Sequence, residues 1–199
     1  MMSALKVAVF MGSLREGRNG ERVLKMVLNE LLNYEVTVLD ARELEGMGFP
    51  LLKKPLHFYK EDSLSEAPAE LRRLNEKVKE ADAFVFITAE YNATCPPGLF
   101  NLIDHFPLKS FAFKPSSIIA YSVGPFGGIR AATALRSVLS EIGTISSQAQ
   151  CIIPSVTTAL SADGTPIEKV KKKVESVIKY LEWYAEAIRD KKAKTGLPE

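Results

Sequence analysis

A doubly wound α/β sheet is the fold this sequence predicts, and three observations predict it. Short apolar runs without polar alternation recur along the chain, helical apolar patterns fall between them, and glycine-rich turns follow the first and fourth runs. The runs lie at residues 5–10, 35–39, 83–88, 117–122 and 147–153. Runs that are apolar on both faces suit the strands of a parallel sheet covered by helices on each side. Between them, Val23, Val27, Leu28 and Leu31 share one helical face, as do Leu71, Leu74, Val78 and Ala81 behind Pro68. Ile129, Ala132, Leu135, Leu139 and Ile142 repeat the pattern up to Gly143, a natural helix stop. Val170, Val174, Val177, Ile178, Leu181 and Ile188 mark a last helix over residues 167–189, and the stretch 189–199 reads as a frayed tail.

The totals bound the function classes. With 199 residues and 46% hydrophobic content the chain can bury one core, so residues 1–199 are expected to form a single domain. A net charge of +2 does not call for a nucleic-acid partner or a membrane surface. No run approaches the roughly 20 apolar residues that cross a bilayer, and the opening MMSALKVAVFMG reads as a strand rather than a signal peptide. Cys95 and Cys151 have no metal-ligand or CxxC spacing, so no metal site is expected and a reducing, cytoplasmic setting fits. Residues 42–69 and 154–166 fall outside the strand–helix rhythm, and a loop as long as the first is usually functional or mobile.

In an open parallel sheet, ligands bind where the strands end, beside the point at which strand order reverses. Strand order 2-1-3-4-5 would make neighbours of the loops leaving the first, third and fourth strands. The first loop lies in MGSLREGRNGER, residues 11–22. A helix starting near Gly20 would aim free N–H groups and the positive end of its dipole at an anion. Ser13 and Asn19 can add hydrogen bonds, and Arg15 can grip a phosphate through planar, charge-assisted donors. Arg18 can do the same or stay solvated. The third loop opens with Glu90, Tyr91 and Asn92 at a strand end, which either project into the crevice or form a helix-capping turn. In the fourth loop, Gly124, Gly127 and Gly128 either let a flat ligand approach the backbone or serve a tight turn.

Familiar phosphate motifs fail. GxGxxG is absent, and GSLREGRN at residues 12–19 lacks the Lys and Ser/Thr of a GxxxxGK[ST] loop. A nucleoside triphosphatase is therefore a poor fit.

At these residues the sequence resembles the NADPH-dependent FMN reductase family of flavodoxin-like quinone, azo and chromate reductases. GSLREG at 12–17, AEYNATCPPGLFNLIDHF at 89–106 and SVGPFGGIRAA at 122–132 match in order, and the likeness spans most of residues 5–153. The resemblance implies a five-stranded flavodoxin-like sheet with helices on both faces and bound FMN. It places Ser13, Arg15 and the turn through Asn19 and Gly20 at the phosphate. Glu90, Tyr91 and Asn92 would line the ring system, and backbone from Ser122 to Gly128 would lie near its far edge. It further implies NADPH or NADH as substrate, a quinone-like or other small electron acceptor, and a homodimer or homotetramer. No catalytic side chain is expected, because the flavin carries the chemistry. A flavin-binding regulatory module without enzymatic activity is the rival expectation. Ala89 stands where many relatives have Pro, and Arg18 and Gly20 where many have Ser and Asn. His105 replaces the usual Trp and reads as a structural histidine.

Overall fold

Five parallel strands form one sheet in the order β2-β1-β3-β4-β5 in the computed structural model, which describes residues 4–46 and 51–198. They are β1 (Lys6–Met11), β2 (Glu35–Asp40), β3 (Ala83–Ala89), β4 (Pro115–Tyr121) and β5 (Ile145–Ile153). The predicted order and flavodoxin-like class are both observed. The chain leaves β1 outward to β2, then crosses back to pair β3 with the other edge of β1. The reversal therefore opens a crevice above the carboxyl ends of β1 and β3.

Alternation along the strands divides the core in two. Ala8, Phe10, Phe84, Phe86, Ile118 and Ala120 face one side. Val7, Val9, Val85, Ile87, Ile119 and Ile153 face the other. The first side packs under α2 (Ala41–Gly46), α3 (Ala69–Glu80), α4 (Pro97–Asp104) and α5 (Ile129–Glu141). The second packs under α1 (Gly20–Glu30), the short α6 (Val156–Ala159) and α7 (Glu168–Thr195). Phe10 sits at the centre of the first layer, stacked on Phe86 at 4.9 Å between centroids and edge-on to Phe106 at 6.3 Å.

Three local readings of the sequence are corrected. The strands expected from 117 and 147 start at Pro115 and Ile145. Their first turns carry buried serines, and Ser116 Oγ lies 2.9 Å from Thr144 Oγ1, a polar pairing that an apolar pattern does not reveal. The tail read as frayed from 189 is helical through Thr195, because RDKKAK contains no breaker before Gly196 at φ +71°. The long connection after β2 contains α2 and two 3₁₀ turns, Leu56–Phe58 and Glu61–Glu66; residues 47–50 of it lie outside the described ones. His105 is buried with Nδ1 2.6 Å from the carbonyl of Asn101, and burial pushes its pKa down, as a structural histidine requires. Among the described residues no helix is long and apolar enough to cross a membrane.

Candidate functional site

The crevice begins where β1 meets α4. A Cβ on Gly12 would overlap Leu99, and one on Gly98 would stand 2.6 Å from the carbonyl oxygen of Gly12. The loop after β1 therefore lies directly on the first turn of α4, backbone on backbone. Sequence reasoning passed over both glycines as sites of contact, although Gly12 opens the GSLR turn and Gly98 follows two prolines.

That contact brings the first and third loops together. Ser13 is buried, and its Oγ lies 2.8 Å from the Tyr91 hydroxyl. The Arg15 guanidinium rests over the Tyr91 ring, 3.7 Å from its centroid, in a cation–π contact. Tyr121, from the end of β4, is buried beside them. Burial pushes its phenol up to about 12, with the nearby Tyr91 adding to the shift. Tyr121 was not among the expected site residues. As a strand terminus in an apolar run, it reads from sequence as core.

Arg18 does not project into the crevice. Its guanidinium forms a two-pronged ion pair with Asp40 at the end of β2, and one nitrogen also donates to the carbonyl of Ser13 at 2.6 Å. Only 5% of the Arg18 side chain and 3% of Asp40 are exposed, so this is a buried pair. Asp40 Oδ1 also accepts the N–H of Arg42 at 3.0 Å. Where the sequence allowed a phosphate grip or a solvated surface charge, Arg18 is a buried brace that holds the loop after β1 to β2. The acidic partner was invisible because it becomes a neighbour only when β2 pairs with β1.

Glu90 is likewise turned away from the crevice. Its carboxylate accepts the backbone N–H of Arg130 at 3.1 Å and Nε at 2.8 Å, and a second guanidinium nitrogen closes the fork. The Arg130 guanidinium holds its pKa below the usual carboxylate range. A carboxylate at the start of α5 also suits the positive end of that helix. Glu90 thus clasps the third loop to the fourth. Asn92 remains exposed at the crevice in left-handed backbone, φ 49°, within a turn closed by Tyr91 and Thr94.

The fourth loop is anchored to the exit of β5. Ser122 N–H donates to Ile153, and Ser155 N–H donates to Gly124 at 3.1 Å. The Ser122 hydroxyl donates to the Gly124 carbonyl at 3.0 Å. The glycines differ in kind. A Cβ on Gly124 meets open space, whereas one on Gly127 would stand 2.7 Å from Pro154 N and 2.9 Å from Ile153 C. Gly128, at φ +82°, starts α5 against the backbone of Tyr121. The ligand-approach reading therefore fits Gly124, while Gly127 and Gly128 serve the turn and its packing.

What converges on the crevice is mostly donors. Among the described residues, the backbone N–H groups of Arg15, Asn19, Gly20 and Glu21 find no protein acceptor, nor do those of Asn92, Ala93, Val123 and Gly124. Asn19 precedes the first turn of α1, and its side chain does not cap that turn. The described residues hold no cluster able to bind a metal ion. Such an arrangement can hold a ligand whose anion enters at α1 and whose flat, acceptor-rich part reaches the third and fourth loops.

Comparison with known proteins agrees with this geometry. The family model described as NADPH-dependent FMN reductase matches residues 5–158. A quinone reductase of Pseudomonas putida is 32% identical over 144 residues, covering 70% of this chain and 72% of that protein. An NAD(P)H-dependent FMN reductase of Pseudomonas aeruginosa is 27% identical over 194 residues, covering 95% of this chain and 100% of that protein. Among solved structures, the flavoenzyme NAD(P)H:(acceptor) oxidoreductase of Paracoccus denitrificans superposes with a TM-score of 0.69 at 27% identity. That likeness covers 94% of this chain and 98% of the other.

Proposed function

Because the chain belongs to the NADPH-dependent FMN reductase family, a family of oxidoreductases that use FMN with NAD(P)H, we propose that it passes hydride from NAD(P)H through bound FMN to a quinone-like acceptor. The observation that carries this reading is the set of open backbone donors at the ends of β1, β3 and β4. They fit FMN: the start of α1 with Ser13 and Arg15 suits its phosphate. The amides of Asn92, Ala93, Val123 and Gly124 suit the carbonyl and nitrogen edge of its ring. Gly124 leaves room for close approach.

Bound FMN supplies the two-electron chemistry. The chain's residues bind and orient it. Arg15 would meet the phosphate with a charge-assisted donor, while the Arg18–Asp40 pair holds the first loop to β2 and the Glu90–Arg130 pair holds the third loop to the fourth. No catalytic side chain is assigned, because the flavin carries the chemistry. NAD(P)H gives up a hydride, and the acceptor takes two electrons with solvent protons to become a hydroquinone. The two substrates would use the crevice in turn. Purified protein loaded with FMN should lose its flavin absorbance with NADPH or NADH under anaerobic conditions and regain it with a quinone. Double-reciprocal plots should be parallel. Intersecting plots, or a flavin that neither nucleotide bleaches, would overturn the reading.

Removing the Arg15 charge should show where the phosphate lies. Arg15→Ala is expected to weaken FMN binding about ten- to a hundredfold, the worth of one charge-assisted hydrogen bond. Riboflavin, which has no phosphate, should bind as before. Equal losses for the two ligands would move the phosphate elsewhere.

Self-association as a homodimer or homotetramer belongs to the same proposal. Val123, Phe126 and Ile129 leave apolar surface exposed beside the fourth loop, where a second subunit would cover it. The two buried free thiols, Cys95 and Cys151, suit a cytoplasmic setting.

A further inference from the structure

Hydroxyls from the ends of β1, β3 and β4 meet beneath the first turn of α1. Ser13 Oγ lies 2.8 Å from the Tyr91 hydroxyl, and Tyr121 is buried beside this pair. The Tyr121 hydroxyl stands 2.7 Å from the point a Cβ at residue 20 would occupy, with Tyr121 Cζ at 3.5 Å and Met11 Sδ at 3.1 Å. Gly20 is the first residue of α1, so the space into which its side chain would reach is filled from another strand.

Proton bookkeeping indicates what this cluster lacks. The Ser13–Tyr91 contact uses one hydroxyl proton, and the buried Tyr121 hydroxyl finds no protein acceptor among the described residues. The surroundings offer further donors rather than an acceptor: the amides of Gly20 and Glu21, and the guanidinium of Arg15. Asp40, the nearby carboxylate, is already engaged by Arg18 and by the N–H of Arg42. The complement to such a group is a ligand that only accepts, and a phosphate monoester dianion is one.

We propose that Tyr121 is a cofactor-binding residue, giving its hydroxyl proton to the phosphate of FMN from beneath α1 in the place a side chain at residue 20 would fill. The proposal rests on the flavin reading above. Burial keeps the phenol protonated through the physiological range, so the donor is always present. Three strands thereby contribute to one anion site, and the exchange of a side chain on α1 for one on β4 keeps a donor beneath the helix.

Titration of the flavin-free full chain with FMN and with riboflavin tests this in four proteins: the parent, Tyr121→Phe, Gly20→Ser and the double variant. Tyr121→Phe should weaken FMN about tenfold and leave riboflavin unchanged. Gly20→Ser should also weaken FMN, because its side chain collides with the Tyr121 hydroxyl. In the double variant that hydroxyl is gone, the nearest ring atom is 3.5 Å away, and the serine can donate instead. FMN affinity should then return to within about threefold of the parent. Apo thermal midpoints separate binding from folding. The proposal falls if Tyr121→Phe binds FMN like the parent, loses riboflavin equally, or is not rescued by Gly20→Ser. A parent chain that binds neither flavin overturns the functional reading as well, which distinguishes the two failures.

Discussion

Asp40→Ala is expected to destabilise the protein by about 3–5 kcal/mol, because it strands the Arg18 guanidinium in a place with little water. Arg18 has 5% of its side chain exposed, and its Nε already lacks a good hydrogen-bond partner. Glu21, 3.5 Å from that Nε but half-exposed, is too solvated to replace Asp40. The substitution also frees the N–H of Arg42 and releases the phosphate loop from β2, so FMN affinity should fall with stability. Replacing both partners with apolar residues, Arg18→Met with Asp40→Leu, should recover most of the stability, since no charge is then left buried. Denaturant midpoints of the three proteins measure this. A loss below about 1 kcal/mol for Asp40→Ala would show that the pair behaves like a surface salt bridge.

Gly127→Val should be comparably damaging, by about 3–5 kcal/mol, and through the fold rather than the ligand. Its backbone at φ +65° is strained for a β-branched residue, and its Cβ would press on Pro154 N and the carbonyl carbon of Ile153. Backbone atoms cannot swing aside as a side chain can. Gly124→Val provides the contrast. It meets nothing within 4 Å and carries no positive φ, so its apo thermal midpoint should match the parent. The new side chain would nevertheless project into the crevice and weaken flavin binding. Thermal unfolding beside FMN titration separates the two. An unchanged midpoint for Gly127→Val, with binding lost, would restore the ligand role that its sequence suggests.

These two predictions mark how far the sequence could be read. The alternation of strands and helices was legible because buried strands are apolar on both faces and glycine clusters punctuate their ends. The strand order, and with it the convergence of three loops, came with the family resemblance. Ser13 and Tyr91 were read into one crevice but at opposite ends of its ligand, and their contact at 2.8 Å emerges only from the fold. The roles of charged and small residues were not legible. Arg18 is separated in sequence from Asp40 by α1 and the rest of β2, and Glu90 finds Arg130 only after β4 is in place. A charge in a loop looks alike whether its partner is a phosphate, water or a distant carboxylate. Gly124 and Gly127 look alike too, until β5 is laid against one of them.

The Arg18–Asp40 pair has a consequence for how the crevice senses its surroundings. A guanidinium that would have projected a full positive charge into solvent is cancelled at close range by a carboxylate. The remaining donors are amides, hydroxyls and Arg15, most of them dipoles whose pull fades within a few ångströms. An approaching phosphate is thus gathered by contact rather than steered from afar. Counter-ions screen distant charges strongly and near dipoles weakly. Ionic strength should therefore matter far less to cofactor retention here than in an arginine-rich cradle, and a change in salt should leave the loaded fraction of the protein nearly constant.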